Sequence, residues 1–234
     1  MPSLILFPVP IGADDINVSL PAYNRELLNT CRTFIVEDVR TARRNLKRMG
    51  YTAAPFDDCT FYELNEHTNP ADTIHYLDPI SQGCNVGLMS EAGLPCIADP
   101  GNLITAEAQR QGIDIIPLVG PSSIMLSLMA SGFNGQNFAF LGYPPIDGAQ
   151  RSAWIKKIET SVYRDSQTQI FIEAPYRNDK LLDYLARNLQ PTTRICVACD
   201  LTLPSQYIHT RAARKWLTNP PQLHKHPAIF LIYK

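Results

Sequence analysis

Along the first half of the chain, short apolar runs alternate with amphipathic stretches. Leu4 to Val9, Thr33 to Val36 and Val86 to Met89 read as buried strands. Pro21 to Thr30 and Thr41 to Met49 have helical spacing, and Gly50 stops the second. Asn69-Pro70 and Asp99-Pro100 each set a capping side chain before a proline suited to the first helical position, and the helix after Asp99 is expected to end at Gly112. Ile113 to Leu118 closes the series as a strand. Alternation of this kind predicts an α/β domain over residues 1–118, mostly a parallel sheet with flanking helices.

The pattern changes after Val119-Gly120-Pro121-Ser122-Ser123, where the apolar helix Ile124 to Ala130 begins. Strands are expected near Phe138 to Leu141, Thr168 to Ile172, Arg194 to Cys199, Gln206 to Thr210 and Ala228 to Tyr233, with helices after Gln150, Arg177 and Ala212. The last strands succeed one another closely, which predicts antiparallel pairs in a mixed sheet. Residues 119–234 therefore read as a second α/β domain.

Composition narrows the class. At 234 residues with 45% hydrophobic and 18% charged, the chain can bury a sizeable core. Its start, Met1-Pro2-Ser3-Leu4, lacks a basic leader, and no apolar run approaches the ~20 residues of a membrane helix. A cytoplasmic protein away from membranes is expected. The six cysteines form no disulfide framework, and the one CxxC, Cys196 to Cys199, falls in an apolar run that reads as a buried strand rather than a redox turn. Net charge is −1, yet residues 1–117 hold 8 Lys and Arg against 15 Asp and Glu, while 118–234 hold 13 against 7. A basic second half suits a polyanionic partner, with an ordinary surface imbalance as the alternative.

Four loops stand at strand ends or at the boundary: Pro8 to Gly12, Val36 to Arg40, Ser90 to Gly101 and Gly120 to Ser123. In an open parallel sheet, ligands sit outside the carboxyl ends of strands, where small residues allow close approach. No GxGxxG, Walker loop or HExxH occurs, so nucleotide hydrolysis, hydride transfer and a metal site recede. Carboxylates available as a base are Glu37, Asp38, Glu66 and Asp99. Glu37 and Asp38 either act so, or cap the helix starting near Thr41 and pair with Arg40 and Arg43. Capping is the expected role of Asp99. Arg40, Arg43, Arg44, Lys47 and Arg48 lie on one helix, either as a phosphate-holding face or as a solvated one.

Taken in order, these loops resemble the tetrapyrrole methylase superfamily of S-adenosylmethionine-dependent methyltransferases. More narrowly they are similar to the branch that methylates a cytidine ribose 2′-hydroxyl of small-subunit ribosomal RNA. Its Pro-x-Pro-Ile-Gly element is matched by Pro8 to Gly12, and its Glu-Asp-x-Arg-x-x-Arg by Glu37, Asp38, Arg40 and Arg43. Ser90 through Gly101 corresponds to its Ser-Asp-Ala-Gly loop, Val119 through Ser122 to Pro-Gly-Pro-Ser, and Ile172, Glu173, Pro175 and Arg177 to Tyr-Glu-x-Pro-x-Arg. Departures are Glu91 for Asp, Leu94 and Cys96 for Thr and Gly, and Val119 for proline. On the substrate side Tyr62 to Glu66 and Cys199 to Leu203 replace His-Glu-His-Asn-Glu and Arg-Glu-Leu-Thr-Lys, and longer members carry a C-terminal extension.

The resemblance implies two domains with S-adenosylmethionine in the cleft between them, a homodimer, and ribosomal RNA or the small subunit as substrate. It implies cofactor contacts at Pro10, Ile11, Gly12, Ser90, Gly93, Leu94, Ile97, Ser122, Ser123, Ile172, Asp200 and Ala228, and no metal. Glu37, Asp38 and Glu66 are then the catalytic candidates, and Arg40, Arg43 and Asn65 the substrate contacts. Rival expectations are methylation of a small tetrapyrrole-like molecule, or a non-catalytic relative that holds cofactor or RNA.

Overall fold

A computed structural model describes residues 1–12, 15–65 and 67–234, which divide into two compact units, Met1–Ser122 and Ser123–Lys234. In the first unit, β1 (Leu4–Phe7), β2 (Cys31–Val36), β3 (Thr60–Glu63), β4 (Asn85–Met89) and β5 (Ile115–Pro117) form one sheet in the order β3-β2-β4-β1-β5. All its pairs are parallel. Strict alternation of side chains splits the apolar strands between two faces. Phe7, Phe34, Val36 and Met89 meet Leu28 of α1 (Ala22–Leu28) and Ala42 and Leu46 of α2 (Val39–Arg48). Leu4, Ile35, Val86 and Leu88 meet Ile80 of α3 (Asp78–Ser81) and Ile104 and Ala108 of α4 (Asn102–Gln111). Both faces are thus covered, which is why the inner strands β1, β2 and β4 are apolar over most of their length. Gly87 leaves room for the aromatic pair on one face: a Cβ there would lie 2.9 Å from Phe34 and 3.0 Å from Phe7.

Two details differ from the sequence pattern. The α4 helix is not capped by Asp99: its N-cap is Gly101, and Asp99 Oδ1 instead accepts from the backbone N–H of Cys96 (3.0 Å) and Gly101 (2.7 Å), closing a turn before the helix. Asn69 does accept from Ala71 N, but it caps a 3₁₀ segment, Pro70–His75, rather than an α-helix. At the other end of α4, Gly112 takes the left-handed conformation (φ 68°) that a C-terminal glycine permits.

The second unit opens with α5 (Ser123–Ser131) and continues through β6 (Phe138–Phe140), α6 (Gly148–Asp165), β7 (Thr168–Ile172), α7 (Asn178–Asn188), β8 (Arg194–Cys199), β9 (Tyr207–Ala212) and β10 (Ala228–Tyr233). Its sheet runs β6-β7-β10-β8-β9. Only β6 and β7 pair in parallel, while β10 runs antiparallel to both β7 and β8, as β9 does to β8. Phe171, Val197 and Phe230 pack against Ile155, Ile158 and Val162 of α6 and Leu181 and Leu185 of α7. The stretch after Ala212 is a short 3₁₀ segment, Ala213–Leu217, that buries Trp216 completely and points its Nε1–H at Ile195 O (3.1 Å). Cys196 and Cys199, three apart on β8, face opposite sides of the sheet. Among the described residues, no helix is long and apolar enough to cross a membrane.

Candidate active site

In the first unit the chain leaves β2 toward the edge strand β3 and leaves its neighbour β4 across β1 toward β5. Adjacent parallel strands whose connections depart in opposite directions open a crevice at their carboxyl ends. Glu37 comes directly after β2 there, and Ser90 directly after β4. Glu37 Oε1 accepts from Glu91 N–H (3.1 Å), Asn65 Nδ2 donates to Glu37 O (3.5 Å), and Asn45 Nδ2 of α2 donates to Glu91 O (3.2 Å). A cavity of about 10 Å³ lies at this point, lined by Glu37, Ser90, Asp99 and apolar Val36, Leu64 and Met89. Burial raises the Glu37 carboxyl above its ordinary value, against the Glu91 N–H bond, and the charges of Asp99 and Glu91 push the same way. Burial raises Asp99 as well, and its Oδ2 is buried without a partner among the described residues.

Three loops meet beside this crevice. Val9 and Gly93 exchange both backbone bonds at 2.8 Å, forming an isolated antiparallel bridge between the first loop and the third. Gly93 sits at φ 77°, where a side chain is strained, and a Cβ would meet Ile11 Cγ2 at 3.4 Å. Gly120 lies so close to the first loop that a Cβ would fall 2.1 Å from Pro8 Cβ. Pro10 and Ser90 are buried, Ile11, Gly12 and Leu94 half-buried, and Ile97 49% exposed. Small residues in close array at strand ends fit close approach by a nucleoside-type ligand such as S-adenosylmethionine.

Other residues named from the sequence fall in several places. Asp38 is the N-cap of α2: its Oδ1 accepts from Thr41 N at 2.7 Å, and this bond holds its carboxyl below the usual range. Arg40 is exposed on the first turn of that helix. Arg43 turns inward, with its guanidinium 5.3 Å from the Phe61 ring centroid and 5.9 Å from that of Phe56, and Nη1 3.4 Å from Asp57. Glu66 lies outside the described residues. Ser122 ends the first unit and Ser123 opens α5 of the second.

Within the second unit, antiparallel pairing of β10 with β7 and β8 gathers Ile172, Asp200 and Ala228 at one end of the sheet: Ile229 pairs with Ile172, and Ala228 with Cys199. Asp200 is buried at φ 51°, and its Oδ2 accepts from Ser205 Oγ (2.9 Å) and faces His226 Nδ1 (2.8 Å). The sequence pattern missed His226, which adjoins Asp200 only because β8 and β10 are paired. Cys199, Asp200 and His226 bring one potential metal-ligand atom each within 4.8 Å of one another, a grouping also unforeseen. Burial and the neighbouring Asp200 push the Cys199 thiol up to about 11, so it keeps its proton at neutral pH.

No family model matches the chain. The "Ribosomal RNA small subunit methyltransferase I" of Leptospira borgpetersenii is 33% identical over 211 residues, covering 88% of this chain and 77% of the relative. The chain belongs to this family. Other members of the methyltransferase I family resemble it at 28% over 208 residues in Escherichia coli and 27% over 203 in Vibrio cholerae; the chain spans 68% and 65% of their lengths. In three dimensions this family member is similar to the methyltransferase CobJ, with a TM-score of 0.66 at 16% identity, covering 100% of this chain and 95% of that one. It also matches the uroporphyrin-III-C-methyltransferase of Thermus thermophilus, with a TM-score of 0.56 at 14% identity, covering 99% and 94%. At such identities the likeness establishes the fold.

Proposed function

We propose that the protein transfers a methyl group from S-adenosylmethionine to a ribose 2′-hydroxyl of small-subunit ribosomal RNA, with Glu37 as the base. Family membership supports the substrate class. The observation that carries the chemistry is the Glu37 carboxylate, held in the crevice by Glu91 N–H beside the glycine-lined loops. Pro10, Ile11, Gly12, Ser90, Gly93, Leu94 and Ser122 are the residues of the first unit that would hold the cofactor, with Ile97 at the exposed margin. When bound, it supplies an electrophilic sulfonium methyl.

A ribose hydroxyl is a weak nucleophile, so a carboxylate within hydrogen-bond reach raises its reactivity. Oε1 of Glu37 is committed to Glu91 N–H; Oε2 takes the hydroxyl proton. Its raised pKa brings the carboxyl nearer to the operating pH, which improves it as a base. Asp38 acts through α2: as N-cap it fixes the start of the helix that carries Arg40, Arg44 and Lys47, all exposed and placed to meet phosphates next to Glu37. Asn65 fastens the backbone of Glu37. In the second unit, Ser123, Ile172, Asp200 and Ala228 are the expected further cofactor contacts, and the working form is a homodimer in the cytoplasm.

The test is transfer of radiolabelled methyl to small ribosomal subunits from a strain lacking the gene, with 2′-O-methyl positions mapped by primer extension. One site should be restored by the wild-type protein and by no other addition. Labelling of no RNA, with S-adenosylmethionine still bound in calorimetry, would sink the reading in favour of a small-molecule acceptor or a non-catalytic binder. Glu37→Gln should lower kcat about 10²- to 10⁴-fold and leave cofactor affinity unchanged.

A further inference from the structure

The element Glu173 to Arg177 is prominent in the sequence, and neither the crevice nor the proposed chemistry uses it. In the second unit, β6 and β7 run parallel, and Leu141 N donates to Ile170 O (2.8 Å) and Ile172 N to Gly142 O (3.0 Å) just past the ladder. Tyr143 and the Glu173–Arg177 segment therefore leave the sheet side by side. Both carry a large exposed aromatic side chain: Tyr143 is 60% and Tyr176 59% exposed.

Beneath them lies an unusual anchor. Glu173 is buried, yet its carboxylate is fully partnered: Oε1 accepts from Ala174 N (2.8 Å) and from Arg177 Nε (2.8 Å) and Nη2 (2.6 Å), and Oε2 from Arg151 Nη2 (3.1 Å). Arg177 in turn donates from Nη1 to Tyr176 Oη (2.9 Å), and its guanidinium carbon stands 5.0 Å from the Tyr176 ring centroid. Burying a carboxylate is costly, and here two arginines and a backbone amide together satisfy it. What this network fixes is the attitude of one exposed tyrosine, which contributes nothing to the core. Lys225 adds an exposed cation at the same place, its backbone N–H bonded to Pro175 O (3.0 Å).

We infer that Tyr143 and Tyr176 form a stacking platform for unpaired bases of single-stranded RNA, with Arg177 and Lys225 beside it for the phosphates. An exposed aromatic face held beside a cation, with a second exposed ring on the neighbouring strand exit, matches how single strands are bound: each base has a π-face to stack, and the backbone needs positive charge. The excess of Lys and Arg over residues 118–234 favours a polyanion over a protein partner or a second copy of this chain. The inference rests on the proposed RNA substrate and extends it to a surface remote in sequence from Glu37.

The test is fluorescence anisotropy of the full-length protein with a labelled, unstructured single-stranded RNA oligonucleotide at fixed salt, beside the same sequence as a duplex. Tyr143→Ala and Tyr176→Ala should each weaken single-strand binding about 5- to 150-fold. Tyr176→Phe should keep most of it, because the ring stacks without the hydroxyl. Duplex binding should barely respond. S-adenosylmethionine affinity should not move, and thermal midpoints should stay near wild type since both side chains are exposed.

Unchanged single-strand affinity in the double alanine variant, with wild type binding and methylating RNA, would overturn the platform alone. Wild type that neither binds nor methylates RNA would remove both readings. Dissociation of a dimer by the alanine variant at unchanged RNA affinity would overturn the platform and give the patch to self-association.

Discussion

Two neighbouring carboxylates, Glu37 and Asp38, respond to pH in opposite senses. Glu37 is raised by burial, so folding takes up protons in the range between its unfolded and folded pKa values, and stability falls as pH climbs through that range. Asp38 is lowered by its bond to Thr41 N, so its contribution is present above the unfolded pKa and fades as pH falls through the folded one. Replacing Glu37 by Gln removes the first penalty. Thermal melts at neutral pH should therefore show this variant at least as stable as wild type, while the proposed mechanism has its transfer rate fall and the acid limb of the wild-type pH–rate profile disappear with it. Glu173 behaves differently. Glu173→Ala strands two guanidinium groups and should cost about 3 kcal/mol in urea denaturation, the lower end for breaking a buried pair because Arg177 is 30% exposed.

At the scale of elements, close backbone approach is the most sensitive feature. Gly120→Ala would thrust a methyl into Pro8, so either the fourth loop or the first must move, at a cost of about 1–3 kcal/mol, and calorimetry should show weaker S-adenosylmethionine binding. Trp216→Ala empties a fully buried site and should cost about 3–5 kcal/mol in the same denaturation assay. The strands β7, β8 and β10 are legible from the sequence because each carries an unbroken apolar run bounded by turns. The edge strand β3 is not, since Thr60-Phe61-Tyr62-Glu63 mixes polar and aromatic residues as a half-solvated edge does. Asp99 misleads for a related reason: Asp-Pro before a helix suits a cap, but its oxygen meets the Cys96 and Gly101 amides first. Contacts that make the candidate site, such as Glu37 with Glu91 and Asp200 with His226, join residues 54 and 26 apart, and no local pattern encodes them.

For the whole molecule, division of charge is the property most open to measurement. On the proposed RNA substrate, affinity should fall steeply with salt, and Arg40→Ala or Arg44→Ala should each reduce the slope of log K against log salt by about 1. A slope that ignores both would argue that the exposed face of α2 is merely solvated. The position of β1 inside its sheet has a further consequence, in the order of synthesis. Leu4 must pair with Val86 on one side and Ile115 on the other. While the chain is being made, the first strand, apolar throughout, has no partner until β4 has emerged, and the unit cannot close until β5 is out as well. Such distant pairing makes for slow folding and a long exposure of sticky chain. Nascent chains halted before Asn85 should thus be protease-sensitive and chaperone-bound, whereas those halted well after Ser122 should already hold a closed first unit.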